Sequence, residues 1–321
     1  MPLFVLRRLL SFVLTLLATS AVVFAVLELL PGNAAQVILG ETATPESIAA
    51  MEDKLGLNQP AATRYLSWIG GMLQGKTGLS ISYDTPTAQL MAERMQVTLP
   101  LAVMAMGLTV ALALALGIYA ASQQNKVGDV GVMTLSQLGL ALPNFWLAIL
   151  LILLFAVHLE WVSAGGFPGW SEDDGGGMFE GIKALLLPAM ALAAVQTAIL
   201  TRVTRSAVLD TLREDFVRTA RAKGLSRRQV LWGHVLRNAM IPVLTVMGLQ
   251  FGNLITSAIV IENVFVLPGI GRLIFQAIAN RDLIVVRDVV MLLSALVILI
   301  NFCIDVLYAW IDPRLKAGHA E

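Results

Sequence analysis

Six long runs of apolar residues constrain this chain more than any other feature of its sequence. A helix needs about 20 residues to cross the hydrocarbon core of a bilayer, and each run reaches that length. The sequence therefore predicts an all-α integral membrane protein with six transmembrane helices. The predicted spans lie at about residues 9–30, 98–120, 133–157, 183–203, 239–261 and 288–311.

The composition supports a membrane protein. Hydrophobic residues make up 57% of the chain and charged residues 14%, whereas a soluble domain carries about 25% charged residues. Arg7 and Arg8 precede the first run as in a secretory signal, but the run is longer than the apolar core of such a signal, so we expect it to be retained. The single cysteine, Cys303, allows no intrachain disulfide, and we expect no metal site and no cofactor.

The distribution of positive charge predicts the orientation of the spans. If the amino terminus is cytoplasmic, 14 of the 22 Lys and Arg residues fall in inner segments, and the other eight are spread over longer outer loops. Inner loops of membrane proteins are enriched in Lys and Arg. We therefore predict a multi-pass protein whose amino and carboxyl termini are both cytoplasmic.

Residues 204–238 form a long polar segment between two spans, with a pattern typical of helix, glycine turn and helix. Lys223 and Gly224 indicate a helix end, because glycine accepts left-handed backbone geometry. Ser226 and Gln229 then fit a capping box for a second helix. The first helix is predicted to carry an apolar face made of Val208, Leu209, Leu212, Phe216 and Ala220.

Three interpretations of residues 204–238 compete. The glycine turn and the nine Lys or Arg residues from Arg202 to Arg237 suit a helix-turn-helix that reads DNA. A loop that is basic only because of membrane topology has the same charge. The third interpretation is a short helical elbow that docks into a soluble partner. Both ends of the segment are tethered close to the membrane, which argues against a DNA reader, and we expect no nucleic-acid partner.

The predicted outer loop at 31–97 is long enough to hold helices of its own. Helical patterns begin near Pro45 and Pro86, and another between them places Leu66, Ile69 and Leu73 on one face. Residues 70–77 match the phosphate-binding pattern G-x-x-x-x-G-K-[ST], which needs a strand before it and a helix after it. Because a helical pattern precedes this match, we predict that it binds no nucleotide.

Polar residues and prolines inside the predicted spans indicate where a pathway could run. Pro143, Pro188 and Pro242 are predicted to break their spans, since proline frees a backbone carbonyl and permits bending. Few ionisable side chains lie at mid-membrane, which argues against ion coupling. The candidates for lining a translocation pathway are Asn144, Gln250, Asn253 and Asn301.

The predicted outer loop between the last two spans contains a turn with Pro268, Gly269 and Gly271. The turn precedes a helix that could lie at the membrane interface, cap a pore as an external gate, or simply return the chain to the membrane. The sequence leaves these three roles open. The predicted apolar face of the helix comprises Leu273, Ile274, Ala277 and Ile278.

A resemblance to a known family is concentrated in residues 217–244, which read VRTARAKGLSRRQVLWGHVLRNAMIPVL. This stretch resembles the cytoplasmic loop of ABC importer permeases of the dipeptide, oligopeptide and nickel branch. Arg218, Thr219 and Ala220 stand where the general pattern has Glu-Ala-Ala, a departure that looks typical of this branch, and Gly224 stands at its glycine. The resemblance extends over essentially the whole chain through Leu30-Pro31-Gly32, LGLNQP, ENVFVLPGIGRL and Asp312-Pro313-Arg314.

The resemblance implies a permease subunit of a bacterial inner-membrane importer, with di- and oligopeptides as the expected substrates. The implied partners are a second homologous permease, two ABC ATPase subunits inside and a substrate-binding protein outside, with membrane lipid around the spans. ATP hydrolysis would belong to the ATPase subunits, and this chain would hold no catalytic residue. The coupling to those subunits would rest on Arg218, Thr219, Ala220, Lys223, Gly224, Leu225 and Ser226.

On this interpretation the chain has four parts: a first transmembrane helix at 1–30, an external helical insert at 31–97, a permease core at 98–311 and a cytoplasmic tail at 312–321. A stand-alone secondary transporter or channel is the alternative, but it needs mid-membrane ion-binding residues or discontinuous helices in paired halves. An intramembrane enzyme needs a serine–histidine or paired-aspartate arrangement inside the spans, and neither arrangement is evident there.

Overall fold

The computed structural model of the chain describes residues 2–29, 39, 43–54, 56–173 and 175–311. The regular elements in these ranges are helices, and one isolated antiparallel bridge pairs Leu79 with Pro86. The prediction of an all-helical fold is confirmed. The predicted tail at 312–321 and most of the segment after the first span lie outside the described residues.

Twelve α-helices are described, numbered here in chain order. They are α1 (Pro2–Leu29), α2 (Pro45–Lys54), α3 (Ala61–Leu73), α4 (Thr87–Ser122), α5 (Val127–Ala141), α6 (Asn144–Leu151), α7 (Met178–Thr211), α8 (Asp215–Ala222), α9 (Arg227–Val230), α10 (Leu236–Val264), α11 (Ile270–Ala279) and α12 (Leu283–Ile311). Two π-helical turns accompany them: Ile152–His158 continues α6, and Leu231–Val235 joins α9 to α10.

Five helical stretches of the described chain are long and apolar enough to cross a membrane. They are Leu6–Leu29, Thr87–Ser122, Met178–Thr211, Arg227–Val264 and Leu283–Val306. The remaining predicted span, 133–157, is instead a pair of helices, Val127–Ala141 and Asn144–His158, bent by 102° at a short break. The count of six holds only if this pair crosses the membrane as one broken span.

Pro143 accounts for the break between α5 and α6. The preceding residue, Leu142, has φ −93° and ψ 128°, the extended geometry that a following proline favours. The breaks predicted at Pro188 and Pro242 are wrong, because α7 and α10 continue through these prolines. Pro188 is buried among neighbouring helices, and such packing compensates for the one backbone bond that a proline removes.

The centre of the fold is the close packing of α4 against α7. Small residues that recur every four positions along α4 are all buried: Ala105, Thr109, Ala113, Gly117 and Ala121. A Cβ atom on Gly117 would lie 2.6 Å from the Cβ of Thr204 and 2.9 Å from the carbonyl oxygen of Thr201. Small residues permit this approach of two backbones, which supplies the packing energy that holds helices together in lipid.

The two ends of the helix bundle differ in what lies there. The loop end holds α8 and α9, and the insert end holds α2, α3 and α11. A buried cluster at the loop end joins α8 to the ends of α7 and α10, and it includes Val208, Leu209, Val217, Ala220, Val230 and Val235. A separate cluster at the insert end packs α11 against α4 and α12, and it includes Leu90, Met91, Ile270, Leu273, Ala277 and Val285.

Two buried aspartates before and within α12 attach the insert to the last span. Asp282 accepts a hydrogen bond of 2.6 Å from Ser80 Oγ. Asp288 accepts bonds of 2.9 Å from Trp68 Nε1 and 2.5 Å from Thr87 Oγ1. Neither aspartate exposes any surface, and burial of a carboxylate is tolerated because these donors replace water. The insert is therefore held firmly against the last span.

The structure changes two details of the predicted insert. α4 runs from Thr87 to Ser122 without interruption, so the boundary proposed between residues 97 and 98 falls inside one continuous helix. On α3, Leu66 and Leu73 are 68% and 85% exposed, whereas Trp68 is buried. Helical spacing identified this helix, but the packed side is the one that carries the tryptophan.

α1 lies at the edge of the bundle and packs mainly on α12. The rings of Phe12 and Phe302 are 5.3 Å apart, and Arg8 Nη1 lies 2.8 Å from Asp305 Oδ2. Most side chains of α1 from residue 6 onward are exposed or half-buried, as expected of a helix that faces lipid or a partner subunit along much of its length.

Candidate functional site

Residues 204–238, called the coupling segment from here on after the role that the resemblance implies, consist of the end of α7, a turn at 212–214, α8, a glycine turn, α9, the π-turn at Leu231–Val235 and the first residues of α10. The prediction of one helix through Val208 and Ala220 is wrong, because the chain turns between α7 and α8. Glu214 has ψ 149°, which is extended rather than helical geometry. The amide nitrogen of Arg213 donates to the carbonyl of Asp210 at 3.1 Å and so closes the turn.

Packing at the loop end explains this turn. A longer α7 would carry residues 217 and 220 away from the bundle. The turn instead returns α8 to the cluster, where Val217 and Ala220 are 0% and 7% exposed beside Val208 and Leu209. Phe216, predicted on the apolar face, is 39% exposed, and Val217 takes the buried position. The free energy of burying these apolar side chains favours the broken geometry.

The glycine turn predicted at Gly224 is present. Gly224 has φ +85°, a left-handed conformation that glycine adopts without steric strain. Its amide nitrogen donates to the carbonyl of Arg221 at 2.9 Å, and that of Leu225 donates to the carbonyl of Ala220 at 3.3 Å. These two bonds define a Schellman motif, which satisfies carbonyls at the end of a helix.

The capping box predicted at Ser226 is also present. Gln229 N donates to Ser226 Oγ at 3.3 Å, and Ser226 N donates to Gln229 Oε1 at 2.9 Å. The second helix is longer than predicted, because α9, the π-turn and α10 form one continuous stretch from Arg227 to Val264. The helix that leaves the glycine turn is therefore the start of a membrane span.

The coupling segment has one free polar surface and one anchored apolar surface. On the apolar side, Ala220 is buried in the loop-end cluster and Leu225 is half-buried against the same cluster. The ion pair between Arg218 and Asp215 spans 3.4 Å and is exposed, so it contributes little stability. The remaining predicted coupling residues are exposed: Arg218, Thr219, Lys223, Gly224 and Ser226. A surface of this kind can dock into a partner while its underside stays fixed to two spans.

The turn at 267–271, called the outer turn from here on after its predicted side of the membrane, is organised by Glu262, which is not among the predicted site residues. Glu262 is fully buried near the end of α10. Its Oε1 accepts a hydrogen bond from Thr98 Oγ1 at 2.5 Å, and its Oε2 accepts one from Gly271 N at 2.6 Å. A carboxylate at the first turn of α11 also interacts favourably with the positive end of the dipole of that helix. An acid near the end of an apolar span is the signal that could have identified Glu262.

The glycines of this turn are required by close approach. A Cβ atom on Gly269 would lie 2.2 Å from the Glu262 carboxylate carbon, and one on Gly271 would lie 2.3 Å from Ile259 Cα. Gly269 itself has φ −103°, so its backbone is unstrained. Pro268 comes before them in the turn, and it is half-buried. The turn is therefore clamped between α4, α10 and α11.

The predicted face of α11 is partly correct. Leu273 and Ala277 are buried, together with Ile270, whereas Ile278 is 57% exposed. The buried face packs into the cluster at the insert end. One side of α11 is thus fixed to the bundle and the opposite side is free.

The match to the phosphate-binding pattern at residues 70–77 is a helix end. Gly75 has φ +70°, its amide nitrogen donates to Met72, and that of Lys76 donates to Gly71 at 2.8 Å. These bonds form a Schellman motif at the carboxyl end of α3. Carbonyl groups and the negative end of the helix dipole face outward at such an end, whereas phosphate binding requires amide donors and a helix amino terminus.

The four pathway candidates differ in their burial. Gln250 is 3% exposed and donates from Nε2 to the carbonyl of Gln196 at 3.1 Å. Asn253 and Asn301 are exposed on α10 and α12, and Asn144 is half-buried at the start of α6. Across the described ranges, no group of three or more His, Cys, Asp or Glu side chains could hold a metal ion.

Two family models match consecutive parts of the chain. Residues 113–317 match the model described as a binding-protein-dependent transport system inner membrane component. Residues 1–112 match the corresponding model for the amino-terminal part of such a membrane component.

Curated relatives match along nearly the whole chain. The glutathione transport system permease protein of Salmonella choleraesuis is 40% identical over 98% of this chain and 98% of its own length. The di/tripeptide transport system permease protein of Pseudomonas aeruginosa is 37% identical over 98% of both chains. The dipeptide transport system permease protein of Alkalihalophilus pseudofirmus is 37% identical over 98% of this chain and 99% of its own.

A solved structure agrees with the fold. The MetNI methionine ABC transporter in an inward-facing conformation contains a similar chain, with a TM-score of 0.57 and 16% sequence identity, and the match covers 70% of this chain and 97% of the other. At that identity the match shows the fold alone. The family models and the full-length relatives show more: the chain belongs to the family of binding-protein-dependent transport system inner membrane components, and it is a multi-pass membrane permease of the ABC importer type, in which ATP hydrolysis belongs to partner subunits.

Proposed function

We propose that the chain is one of two permease subunits in a bacterial inner-membrane importer of short peptides. Two ATPase subunits bind at the loop end, a substrate-binding protein delivers the peptide at the insert end, and the two permeases enclose the pathway. The observation that carries this proposal is the coupling segment, whose polar surface is exposed while Val217 and Ala220 anchor it to α7 and α10.

The coupling segment is built to transmit a displacement. A hydrogen-bonded turn of three residues joins α8 to α7, and the Schellman motif joins it to α9. α9 continues into α10, so both links are short and rigid. Movement of an ATPase subunit against Arg218, Thr219 and Lys223 therefore displaces two spans together, as in other rigid-body transitions.

A face of α10 is suited to line the pathway. Leu249, Asn253, Thr256 and Val260 are exposed at helical spacing on this span. An amide exposed to lipid would lose its hydrogen bonds, so Asn253 favours contact with water or with the second permease. Asn301 on α12 meets the same condition. Gln250 lies on the packed side and contributes to a pathway only if α10 separates from α7.

The outer turn is proposed to be a framework rather than a moving gate. Glu262 holds the first turn of α11 through Gly271, and Ile270 N donates to Thr98 Oγ1 at 2.9 Å. Buried hydrogen bonds of this kind are costly to break. A fixed α11 offers its exposed side as part of the surface that receives the binding protein.

The proposed organisation follows the predicted parts at 1–30, 31–97, 98–311 and 312–321, except that α4 runs through the boundary at 97/98 and joins the insert to the core, and both termini are cytoplasmic. The excess of Lys and Arg at the loop end supports this orientation. Short peptides are the proposed cargo because the relatives named above are permeases for dipeptides, di/tripeptides and glutathione, all of which carry amide-linked amino acids.

Purification of the transporter from native membranes, through a tag on this chain, tests the proposal. We expect ATPase subunits and a second permease to co-purify, and we expect vesicles with internal ATP to accumulate labelled di- and tripeptides only when the binding protein is present. Uptake by this chain alone, without ATPase subunits, would instead establish a stand-alone transporter. A matched assay with free amino acids checks that the cargo is peptide.

A further inference from the structure

Asp129 and Arg205 form an ion pair at the loop end, between α5 and α7. Asp129 is 3% exposed, although it carries a carboxylate. Its Oδ1 accepts from Arg205 Nε at 2.5 Å, and its Oδ2 accepts from Arg205 Nη2 at 2.6 Å. Two parallel bonds between guanidinium and carboxylate fix the relative orientation of both groups, which a single contact does not.

The same carboxylate holds the turn before α5. Asn125 N donates to Asp129 Oδ2 at 2.9 Å, and Asn125 has φ +61°, a left-handed conformation that is uncommon for residues other than glycine. Asp129 therefore joins three donors from two separate parts of the chain. It connects the turn between α4 and α5 to the last third of α7.

Nearby contacts keep α5 against α7. Arg202 Nη2 donates to Gln137 Oε1 at 2.8 Å, two turns along α5 from the ion pair. A Cβ atom on Gly139 would lie 3.5 Å from Ala198 Cβ, so the two backbones are close there as well. α5 is consequently placed to follow α7, and it leads directly into the 102° bend before α6.

Arg205 lies on α7 at the start of the coupling segment, a short distance before α8. α7 continues from Arg205 to Thr211, and α8 begins at Asp215 after the short turn. The helical stretch after Arg205 is anchored by Val208 and Leu209 in the same cluster as α8. A displacement of α8 thus reaches Arg205 through packed and hydrogen-bonded structure.

We propose that the Asp129–Arg205 pair is a positioning contact that passes movement of the coupling segment to the broken α5–α6 span. The proposal rests on the proposed function, and it adds a third moving element to the two spans, α7 and α10, that the coupling segment joins directly. With the pair intact, α5 follows α7. Without it, the ATPase subunits move α7 and α10 while α5 and α6 lag, and hydrolysis becomes partly uncoupled from transport.

A purely structural role makes a different prediction for paired substitutions. Removal of one partner leaves an unpaired charge, on the buried Asp129 or on the half-buried Arg205, whereas neutralisation of both removes that penalty. If the pair only stabilises the fold, Asp129→Asn/Arg205→Gln restores both assembly and coupling. If the pair positions α5, the double variant assembles normally and stays uncoupled.

The experiment uses the whole transporter, purified through a tag on this chain and reconstituted in vesicles with the binding protein. The variants are Asp129→Asn, Arg205→Lys and Asp129→Asn/Arg205→Gln. Arg205→Lys keeps the charge but cannot reproduce the two parallel bonds. The measurements are the yield of assembled complex, the ATPase activity and the number of labelled peptides transported per ATP hydrolysed.

We expect the double variant to assemble at wild-type yield and to transport at least about fivefold fewer peptides per ATP, a typical size for a coupling between sites. Arg205→Lys should show a smaller loss of the same ratio. The matched control is Asp305→Asn, which removes the charge from the partly exposed pair with Arg8 between α1 and α12, and its ratio should equal that of the wild type.

A wild-type ratio in the assembled double variant would overturn the proposal and leave the pair a structural contact. An equal loss in Asp305→Asn would overturn it too, because the effect would then follow from any lost charge at the loop end. If the wild-type transporter itself shows no ATP-driven peptide uptake, the proposed function is wrong. That failure differs from failure of the Asp129–Arg205 proposal, because it is seen in the wild type before any variant is tested.

Discussion

At the residue scale, Gly224 and Gly75 offer a comparison within one chain. Both glycines occupy the same position of a Schellman motif, with φ +85° and +70°, and a Cβ atom on either would meet nothing within 4 Å. Substitution therefore strains the backbone at both sites without creating a clash. Gly224 lies in the coupling segment, whereas Gly75 lies in the insert, so the pair separates local strain from its consequence for coupling.

We predict that Gly224→Val and Gly75→Val carry similar local costs, about 1–3 kcal/mol each, from a β-branched residue in the left-handed region. Only Gly224→Val should re-aim the helix that follows the turn. We expect its ATPase activity to lose the response to loaded binding protein, with uptake lost in the same vesicles, while Gly75→Val retains both. A wild-type response in Gly224→Val would show that this turn plays no part in coupling.

Glu262 is the residue on which the outer turn depends. We predict that Glu262→Gln destabilises the transporter by about 1–3 kcal/mol, because an amide has one acceptor oxygen for the two donors on Thr98 and Gly271. The measurement is the thermal unfolding midpoint of the purified complex. Glu172→Gln, an exposed acid in the loop before α7, is the control and should change stability by less than about 0.5 kcal/mol. Equal midpoints for the two variants would show that the Glu262 carboxylate does not stabilise the outer turn.

At the scale of elements, α4 carries one glycine that contacts α7 and another that does not, so the second serves as a control for the first. A Cβ atom on Gly117 meets Thr204 Cβ at 2.6 Å, whereas one on Gly107 of the same helix meets nothing within 4 Å. We predict opposite signs for the same substitution. Gly117→Ala should destabilise by about 1–3 kcal/mol through overpacking, and Gly107→Ala should stabilise by up to about 1 kcal/mol through helix propensity.

Unfolding midpoints of the two alanine variants, measured in the same detergent, check this prediction. Shifts in the same direction would mean that α4 and α7 have enough freedom to separate, and that the small residues along α4 are incidental to their packing.

At the scale of the whole molecule, the predicted alternation of six spans would put the insert and the coupling segment on opposite sides of the membrane. We predict that reporter fusions at Gln74 and Arg221 report outside and inside respectively, because the loop end carries the excess of positive charge. The bent α5–α6 pair must cross the membrane for this result. Fusions that report the same side would show that the pair is re-entrant and that only five spans cross.

Several features of the fold and site were predictable from local sequence because short-range interactions determine them. Span length follows from apolar content, so the five continuous spans were identified with their approximate limits. The turn at Gly224 and the capping box at Ser226 depend on hydrogen bonds between residues at most five positions apart. Such contacts form wherever the two helices form, whatever the rest of the chain does.

The apolar spans, the glycine turn and the capping box follow from residue composition and spacing alone, and these the sequence was enough to predict. The tertiary structure alone decided how the helices bend and which side chains become buried. The turn at 212–214 forms because α8 must return to the loop-end cluster, and for the same reason Val217 is buried while Phe216 is exposed. Glu262 accepts a hydrogen bond from Thr98, and Asp129 pairs with Arg205, although these partners lie 164 and 76 residues apart in the sequence. Contacts between residues so far apart in the sequence depend on the packing of whole helices, which no local pattern specifies.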